Sequence, residues 1–413
     1  MSENKRNVPK LRFPEFTDAW EQRKFDDLVF RVSTSSGDEP GLPRIEYEDI
    51  VSGQGQLNKN IFEKKSEKRG IRFEPNDILF GKLRPYLRNW HLPDFAGIAV
   101  GDFWVLRPNG TNPEFIYTLI QSPKYDMVSN ISTGTKMPRS DWNVVSKTPF
   151  ATPSDIAEQA KIGATFSCLD HLITLHQRKL KHLQEQKAGL LQKMFPRDGA
   201  DVPELRFPEF TDAWEQRKFD KVFDPVPNNS LSRANLNYTA GEIKSVHYGD
   251  ILIKYGAVTD CRTDVIPFIT GANASDYRSL FLQDSDVLIA DAAEDETVGK
   301  ATEITGISDI PVVSGLHTIA CRPKVKMQPN YMGYYINSPS FHRQLLPLMQ
   351  GIKVFSISRT NLAKTTVRYP ILEREQLQIG KLFVDLDNLI TLHQRKLKHL
   401  QEQKKALLQQ MFI

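Results

Sequence analysis

Cysteine is scarce in this chain, with three in 413 residues. Cys168, Cys261 and Cys321 lie far apart and form no CxxC pair, which argues against a zinc site or a disulfide framework and fits a reducing compartment. Long apolar runs are missing too: no stretch approaches about 18 uninterrupted apolar residues, and the opening MSENKRNVPK is polar with no apolar core behind it. Neither secretion nor membrane insertion is supported, and the expected setting is the cytoplasm. A dominant charge is also lacking. The formal net charge is +4, so nucleic-acid binding has to be argued from local clusters. No GxxxxGK[ST] loop occurs, which leaves an ATP motor without support. Hydrophobic content of 40% and charged content of 25% are ordinary for a globular protein, and the length suffices for two or three domains.

What is present is repetition. LDHLITLHQRKLKHLQEQKAGLLQKMF, residues 169–195, returns as LDNLITLHQRKLKHLQEQKKALLQQMF, residues 386–412. Neither copy contains proline, and their leucine, lysine and glutamine favour helix. Leu169, His176, Leu183 and Leu190 recur every seven residues, interleaved with Ile173, Leu180, Lys187 and Met194. That spacing is a coiled-coil seam with polar interruptions. A lone leucine stripe would equally fit an amphipathic helix on its own core, but two matched copies offer each other a partner. A second repeat, VPKLRFPEFTDAWEQRKFD at 8–26, returns at 202–220 with Lys10 replaced by Glu204 as its sole change. PRDGAD, 196–201, is a turn-rich linker into the second copy.

The order is element, variable region, helix, taken twice. Such a duplication fits a pseudo-twofold arrangement, and an axis of that kind requires the two helices to run antiparallel, with each variable region at an opposite end of the pair. The variable regions, roughly 27–150 and 221–367, share a skeleton. Glu-Tyr-Glu-Asp-Ile at 46–50 answers His-Tyr-Gly-Asp-Ile at 247–251, Asn-Asp-Ile-Leu-Phe at 76–80 answers Ser-Asp-Val-Leu-Ile at 285–289, and Leu-Arg-Pro at 106–108 answers Cys-Arg-Pro at 321–323. Ser122-Pro123 answers Ser338-Pro339, and Gly134-Thr135-Lys136 answers Gly351-Ile352-Lys353. The runs DILFGKL, DFWVLRP and DVLIADA read as strands. The segments 115–120 and 331–336 read as short helices ended by Ser-Pro. Thr152-Pro153-Ser154-Asp155 has the form of a capping box with proline at the first helical position, which starts the first long helix near 153 and its counterpart near Pro370. About 40 residues make a rod of roughly 60 Å. The expected fold class is α+β: two mixed α/β domains of similar fold separated by two long helices forming an antiparallel coiled coil, with internal pseudo-twofold symmetry. The expected segments are 1–152, 153–198, 199–369 and 370–413.

Catalytic patterns fail on inspection. Asn112-Pro113-Glu114-Phe115 resembles the Asn-Pro-Pro-Phe loop of amino-methyltransferases, but Glu114 replaces the second proline and no glycine-rich cofactor loop precedes it. The acidic run from Asp291 to Glu296, followed by Lys300, lacks the Asp…Glu-x-Lys order of a metal-dependent nuclease and reads as a solvated loop. His176 and His393 fall on the seam with no acidic or cysteine partner at metal spacing, so they read as register-setting polar residues. No catalytic residue and no metal ligand is assigned. Basic residues interleaved with aromatics are more informative. Lys82, Arg84, Tyr86, Arg88, Asn89 and Trp90 lie within nine residues after an expected strand, where cations can neutralise phosphates and Arg, Asn or Lys can read base edges. A solvated strand edge is the competing reading. Lys136, Arg139 and Ser140 join the candidate DNA contacts of the first region. In the second they are Lys254, Tyr255, Arg278, Lys300, Lys353, Ser356, Ser358 and Arg359.

The Leu-Asp-x-Leu-Ile-x-Leu-His-Gln-Arg-Lys-Leu repeat, the duplicated Leu-Arg-Phe-Pro-x-Phe…Trp element and the Gly-Asp-Ile-type strands together resemble the specificity subunit of type I restriction-modification systems. The resemblance covers nearly the whole chain. It implies two target-recognition domains, each reading one half of a bipartite asymmetric double-stranded DNA site, with an antiparallel coiled coil setting the spacer. It also implies a non-catalytic chain that docks two methyltransferase subunits and the restriction/translocase subunits, with S-adenosylmethionine, ATP and Mg held in those partners and no cofactor here. The competing functions are a self-sufficient DNA methyltransferase or nuclease with diverged motifs, and a coiled-coil adaptor that never touches DNA.

Overall fold

The computed structural model describes residues 8–36, 41–64, 66, 68–131 and 137–412. The chain forms two compact units, one from residues 1–179 and 393–413, the other from 180–392. Each therefore holds one variable region, the repeat element before it, and part of both long helices.

In the first unit Val29–Val32, Phe103–Pro108, Ile78–Gly81 and Trp90–His91 make an antiparallel sheet in that order. A second sheet orders Ser35–Ser36, Gly70–Phe73, Gly97–Val100 and Arg44–Glu46, the last two parallel. The central strands are buried on both faces because successive side chains alternate between two cores. Ile78, Phe80, Trp104 and Leu106 enter one core, while Leu79, Phe103 and Val105 enter the other. The second unit repeats the plan. Phe223–Val226, Thr318–Pro323, Val287–Ala290, Ala301–Thr305 and Val258–Asp260 form one sheet, and Leu236–Asn237, Phe268–Ile269, Lys244–Val246 and Val312–Ser314 the other. Val287, Ile289, Ile319 and Cys321 face one core; Leu288, Ala290 and Ala320 face the other.

The skeleton motifs acquire physical roles. Arg107 makes two hydrogen bonds to Asp77, at 2.8 and 2.7 Å, and Arg322 makes the same pair to Asp286, at 2.8 and 2.7 Å. Both carboxylates also cap the turn before their strand, accepting from Glu74 N and Gln283 N at 2.8 Å. Asn76 and Ser285 sit at equivalent left-handed positions, φ 72° and 73°. The short helices form at Pro113–Leu119 and Tyr331–Ile336. Ser122 and Ser338 then cap the next helix rather than ending the previous one, with Pro123 and Pro339 in its first turn.

The long helices span Ile156–Lys193, 38 residues, and Glu373–Met411, 39 residues, or about 57 Å each at about 1.5 Å per residue. The expected capping box is not used. Thr152 ends a buried strand and its hydroxyl is unpartnered, whereas Asp155 accepts from Ala157 N at 2.8 Å. The strand paired with Glu21–Lys24 claims residues 149–152, so the helix starts beyond Pro153. Gln159 and its counterpart Gln376 reach back to Pro153 O and Pro370 O, both at 2.8 Å.

The repeat element clamps the start of one helix to the end of the other. In the first unit Arg12 binds Glu158 at 2.6 and 2.7 Å, Trp20 Nε1 donates to the same carboxylate at 3.1 Å, and Leu11 N donates to Gln410 O at 3.1 Å. In the second, Arg206 and Trp214 bind Glu375, and Leu205 N donates to Lys193 O at 2.9 Å. Phe412 packs against Trp20, Phe115 and Phe166, as Phe195 packs against Trp214, Tyr331 and Phe383. A helix start beside a helix end means antiparallel helices, within each unit. Along the seam Lys404 pairs with Asp170 at 2.5 Å, Lys187 pairs with Asp387 at 2.5 Å, and His176 Nδ1 lies 2.9 Å from His393 Nδ1. Lys404 and Lys187 are repeat counterparts, as are Asp170 and Asp387, so one contact occurs twice with its partners exchanged.

Candidate nucleic-acid interface

In the first unit the basic and aromatic stretch forms the hairpin between Ile78–Gly81 and Trp90–His91. Its backbone is pinned on several sides. Arg84 N donates to Pro138 O at 2.7 Å, Ser140 N to Lys82 O at 2.9 Å, Arg88 N to Pro85 O at 2.8 Å and Gly53 N to Arg88 O at 3.0 Å. Arg84 and Arg88 both adopt left-handed backbone, φ 47° and 57°. Lys82, at 3.6 Å, and Arg139, at 3.0 Å, share the carboxylate of Asp102, which the Arg139 hydrogen bond and then Lys82 hold below the usual carboxylate range. Arg88 pairs with Asp126 at 2.8 Å. Arg84 and Tyr86 are exposed. These five side chains gather on one hairpin and the strand bridge beside it.

Two expected contacts of this region point inward instead. Asn89 is buried, accepting from Ser52 Oγ at 2.9 Å and donating to Tyr47 O at 3.2 Å. Ser140 is buried and donates to Ser129 O at 2.7 Å. Each spends its side chain on a backbone carbonyl of the framework, Tyr47 O for Asn89 and Ser129 O for Ser140. Lys136 lies outside the described residues.

The second unit uses the same backbone with a different surface. Asp291 N donates to His317 O at 3.0 Å as Lys82 N does to Asp102 O at 2.9 Å, and Ile357 N donates to Asp291 O as Ser140 N does to Lys82 O, both at 2.9 Å. The polar pair over this backbone is inverted, with the carboxylate on the opposite strand. Lys82 with Asp102 becomes Asp291 with His317, 3.1 Å apart. The hairpin that carries Lys82, Arg84 and Arg88 in one unit carries Glu294, Asp295 and Glu296, all exposed, in the other.

The expected contacts of the second unit are accordingly scattered. Lys254 is half exposed and holds Tyr238 Oη at 2.6 Å and Asp250 Oδ1 at 3.0 Å. Arg233, which lies 3.1 Å from the same buried carboxylate, and Tyr238 and His247 complete a cluster that sequence reasoning missed; nothing in local spacing links residues 233 and 250. Burial lowers the pKa of His247, and the neighbouring Arg233 lowers it further. Tyr255 is buried with its hydroxyl donating to Val265 O at 3.1 Å, so it supports the core. Lys300 donates to Leu252 O at 2.9 Å, and burial lowers its pKa. Arg359 donates to Ala320 O and Val226 O at 3.3 and 3.0 Å. Ser358 caps the short helix at Arg359–Leu362. Arg278, Lys353 and Ser356 are exposed, Lys353 at the tip of the hairpin that Ser356 closes by bridging to Gln350.

Among the described residues no group of three or more His, Cys, Asp or Glu is placed to hold a metal ion, and no helix is long and apolar enough to cross a membrane.

Comparison with known proteins adds to this geometry. Over nearly its full length the chain matches an S subunit of a type I restriction-modification system from M. genitalium, at TM-score 0.62 and 15% identity, covering 98% of this chain and 99% of that one. The fold is that of the type I specificity subunits. A second match with this fold, to a chain from work on complex assembly and conformational transition of the type I R-M system, has TM-score 0.51 and 19% identity and covers 94% and 96%. In sequence the chain is similar to the MjaX type I restriction enzyme specificity subunit of Methanocaldococcus jannaschii, 24% identical over 49% of this chain and 46% of that one. The MjaVIII specificity subunit of the same organism is 20% identical over 69% and 66%. The chain thus spans about half of the first of these relatives and less than two thirds of the second. No family model matches.

Proposed function

We propose that this chain is the DNA-specificity subunit of a type I restriction-modification complex, each unit reading one half of a bipartite, asymmetric double-stranded site. One observation carries the reading: a single framework is used twice, down to matched Asp–Arg bridges, while the exposed hairpin over it changes from basic to acidic. Identical frameworks with different surfaces suit two different half-sites. In this reading the chain catalyses nothing, works in the cytoplasm, and its long helices fix the spacer and dock methyltransferase subunits. Leu175 and its counterpart Leu392, 54% and 61% exposed on the helices, support the docking role. S-adenosylmethionine, ATP and Mg then belong to the methyltransferase and restriction partners. The test is methylation sequencing of a host carrying the complex, before and after residues 27–150 are exchanged for another specificity subunit's equivalent. One half-site changes and the other persists if the reading holds; an unchanged motif refutes it.

A further inference from the structure

We infer that Arg84 reads a guanine in the half-site recognised by the first unit, while Lys82, Arg88 and Arg139 are held by carboxylates as supports of the hairpin that presents it. The inference rests on the DNA-reading function proposed above and assigns it a base and a residue. Among the described residues, four arginines and lysines lie on this hairpin or the strand bridge beside it, and three of them are already paired. Lys82 and Arg139 share Asp102, and Arg88 is bidentate on Asp126 at 3.3 and 2.8 Å. The Arg84 guanidinium makes no hydrogen bond or ion pair within the described residues and is exposed. Among the described residues, no side-chain hydrogen bond or ion pair has to break before it binds a ligand.

The backbone beneath it is unusually determined. Arg84 is left-handed without being glycine, at φ 47° and ψ 62°, a conformation disfavoured for a residue with a side chain and retained where surroundings over-determine it. Its own N–H is tied to Pro138 O and its carbonyl to Leu87 N. The preceding carbonyl, of Leu83, accepts from the Tyr47 hydroxyl, and the following Pro85 is buried. A guanidinium on so constrained a stem loses little backbone freedom on binding. A phosphate tolerates a mobile cation, but the two acceptors on a guanine edge, O6 and N7, need a planar donor pair at a set position and angle. The equivalent hairpin of the second unit has acidic residues there, so the effect belongs to one half-site alone.

The test uses the full chain co-expressed with its methyltransferase partners, and sequencing of methylated motifs for the wild type, Arg84→Gln and Arg84→Ala. The expected result is that one guanine of one half-site becomes degenerate, with Gln favouring adenine there, while the other half-site and the spacer persist. An unchanged motif at lower occupancy makes Arg84 a phosphate contact and overturns the inference, as does loss of selectivity in both half-sites. Should the variants methylate nothing, the wild-type complex is assayed on duplexes with 7-deazaguanine at each guanine in turn. One position must weaken binding, by up to about 150-fold, the upper bound for a whole bidentate base contact, since the substitution removes N7 and leaves O6. Insensitivity at every guanine of that half-site overturns the inference. A wild-type complex that binds no preferred sequence at all defeats the proposed function instead.

Discussion

Two glycines of the first long helix show how little a residue's type says without its surroundings. Alanine normally stabilises a helix interior by up to about 1 kcal/mol over glycine. A Cβ at Gly163 would lie 2.7 Å from Glu114 Cβ and 2.8 Å from Phe115 N, where the short helix beginning at Pro113 presses on the long one. Gly380, its counterpart, would place one 2.9 Å from Pro329 O. Gly163→Ala is therefore expected to destabilise the protein by about 1–3 kcal/mol through overpacking. Gly189 has nothing within 4 Å, and its counterpart is Ala406, so Gly189→Ala is expected to stabilise by up to about 1 kcal/mol. Urea unfolding of the two variants checks both signs. At Glu158, whose side chain is 1% exposed against Arg12 at 10%, replacement by alanine strands Arg12 and the Trp20 N–H. The expected loss is about 3–5 kcal/mol, read from the same unfolding curves.

The long helices depend on polar residues inside their seam. His176 and His393 approach through their Nδ1 atoms at 2.9 Å, so one ring must present a bare nitrogen to the other's N–H. Burial, then His393, then Lys396 lower the pKa of His176. A lowered histidine pKa means the unfolded chain binds more protons than the folded one between the folded pKa and about 6.5. Stability is thus fully present above about pH 6.5 and is lost as pH falls toward the folded value. His91 and His247 are shifted the same way by burial, so the informative comparison is between wild type and the double variant His176→Asn with His393→Asn. Urea midpoints at pH 7.5 and 5.5 should drop further for the wild type than for the double variant. Equal drops would remove the pair from the acid response. The seam also rests on the reciprocal Lys404–Asp170 and Lys187–Asp387 contacts, in which a lysine at a core-type position is matched by an aspartate on the other helix.

At the scale of the molecule, the helices run from one unit into the other. If they act as a spacer, inserting one heptad at equivalent points of both should change the methylated motif's spacer and leave both half-sites intact. Methylation sequencing decides this, and a changed half-site would contradict a pure spacer role. Much of the architecture was legible beforehand because it is written as repetition. The paired helices, their antiparallel sense and the shared skeleton of the variable regions followed from matching residues, save the Gly134–Lys136 match, which lies outside the described residues. The start of the first helix was misread, since a local T-x-x-D pattern says nothing of a strand that claims Thr152 for pairing with Glu21. The candidate interface was half legible. Clustered cations marked the Lys82–Arg88 hairpin, but the inward turn of Asn89, Ser140 and Tyr255, and the gathering of Arg233, Tyr238 and His247 around Asp250, were not.

Duplication and hydrophobic period are properties of the chain's own order, and they alone determined that this protein is two copies of one plan joined through matched helices. Tertiary structure decided which cations of the Lys82–Arg88 hairpin are spent on internal carboxylates and, among the described residues, left the Arg84 guanidinium without such a partner. Asp102 and Asp126 lie 20 and 38 residues from the cations Lys82 and Arg88 that they hold, and only folding brings charges so separated within the few ångströms over which they pair.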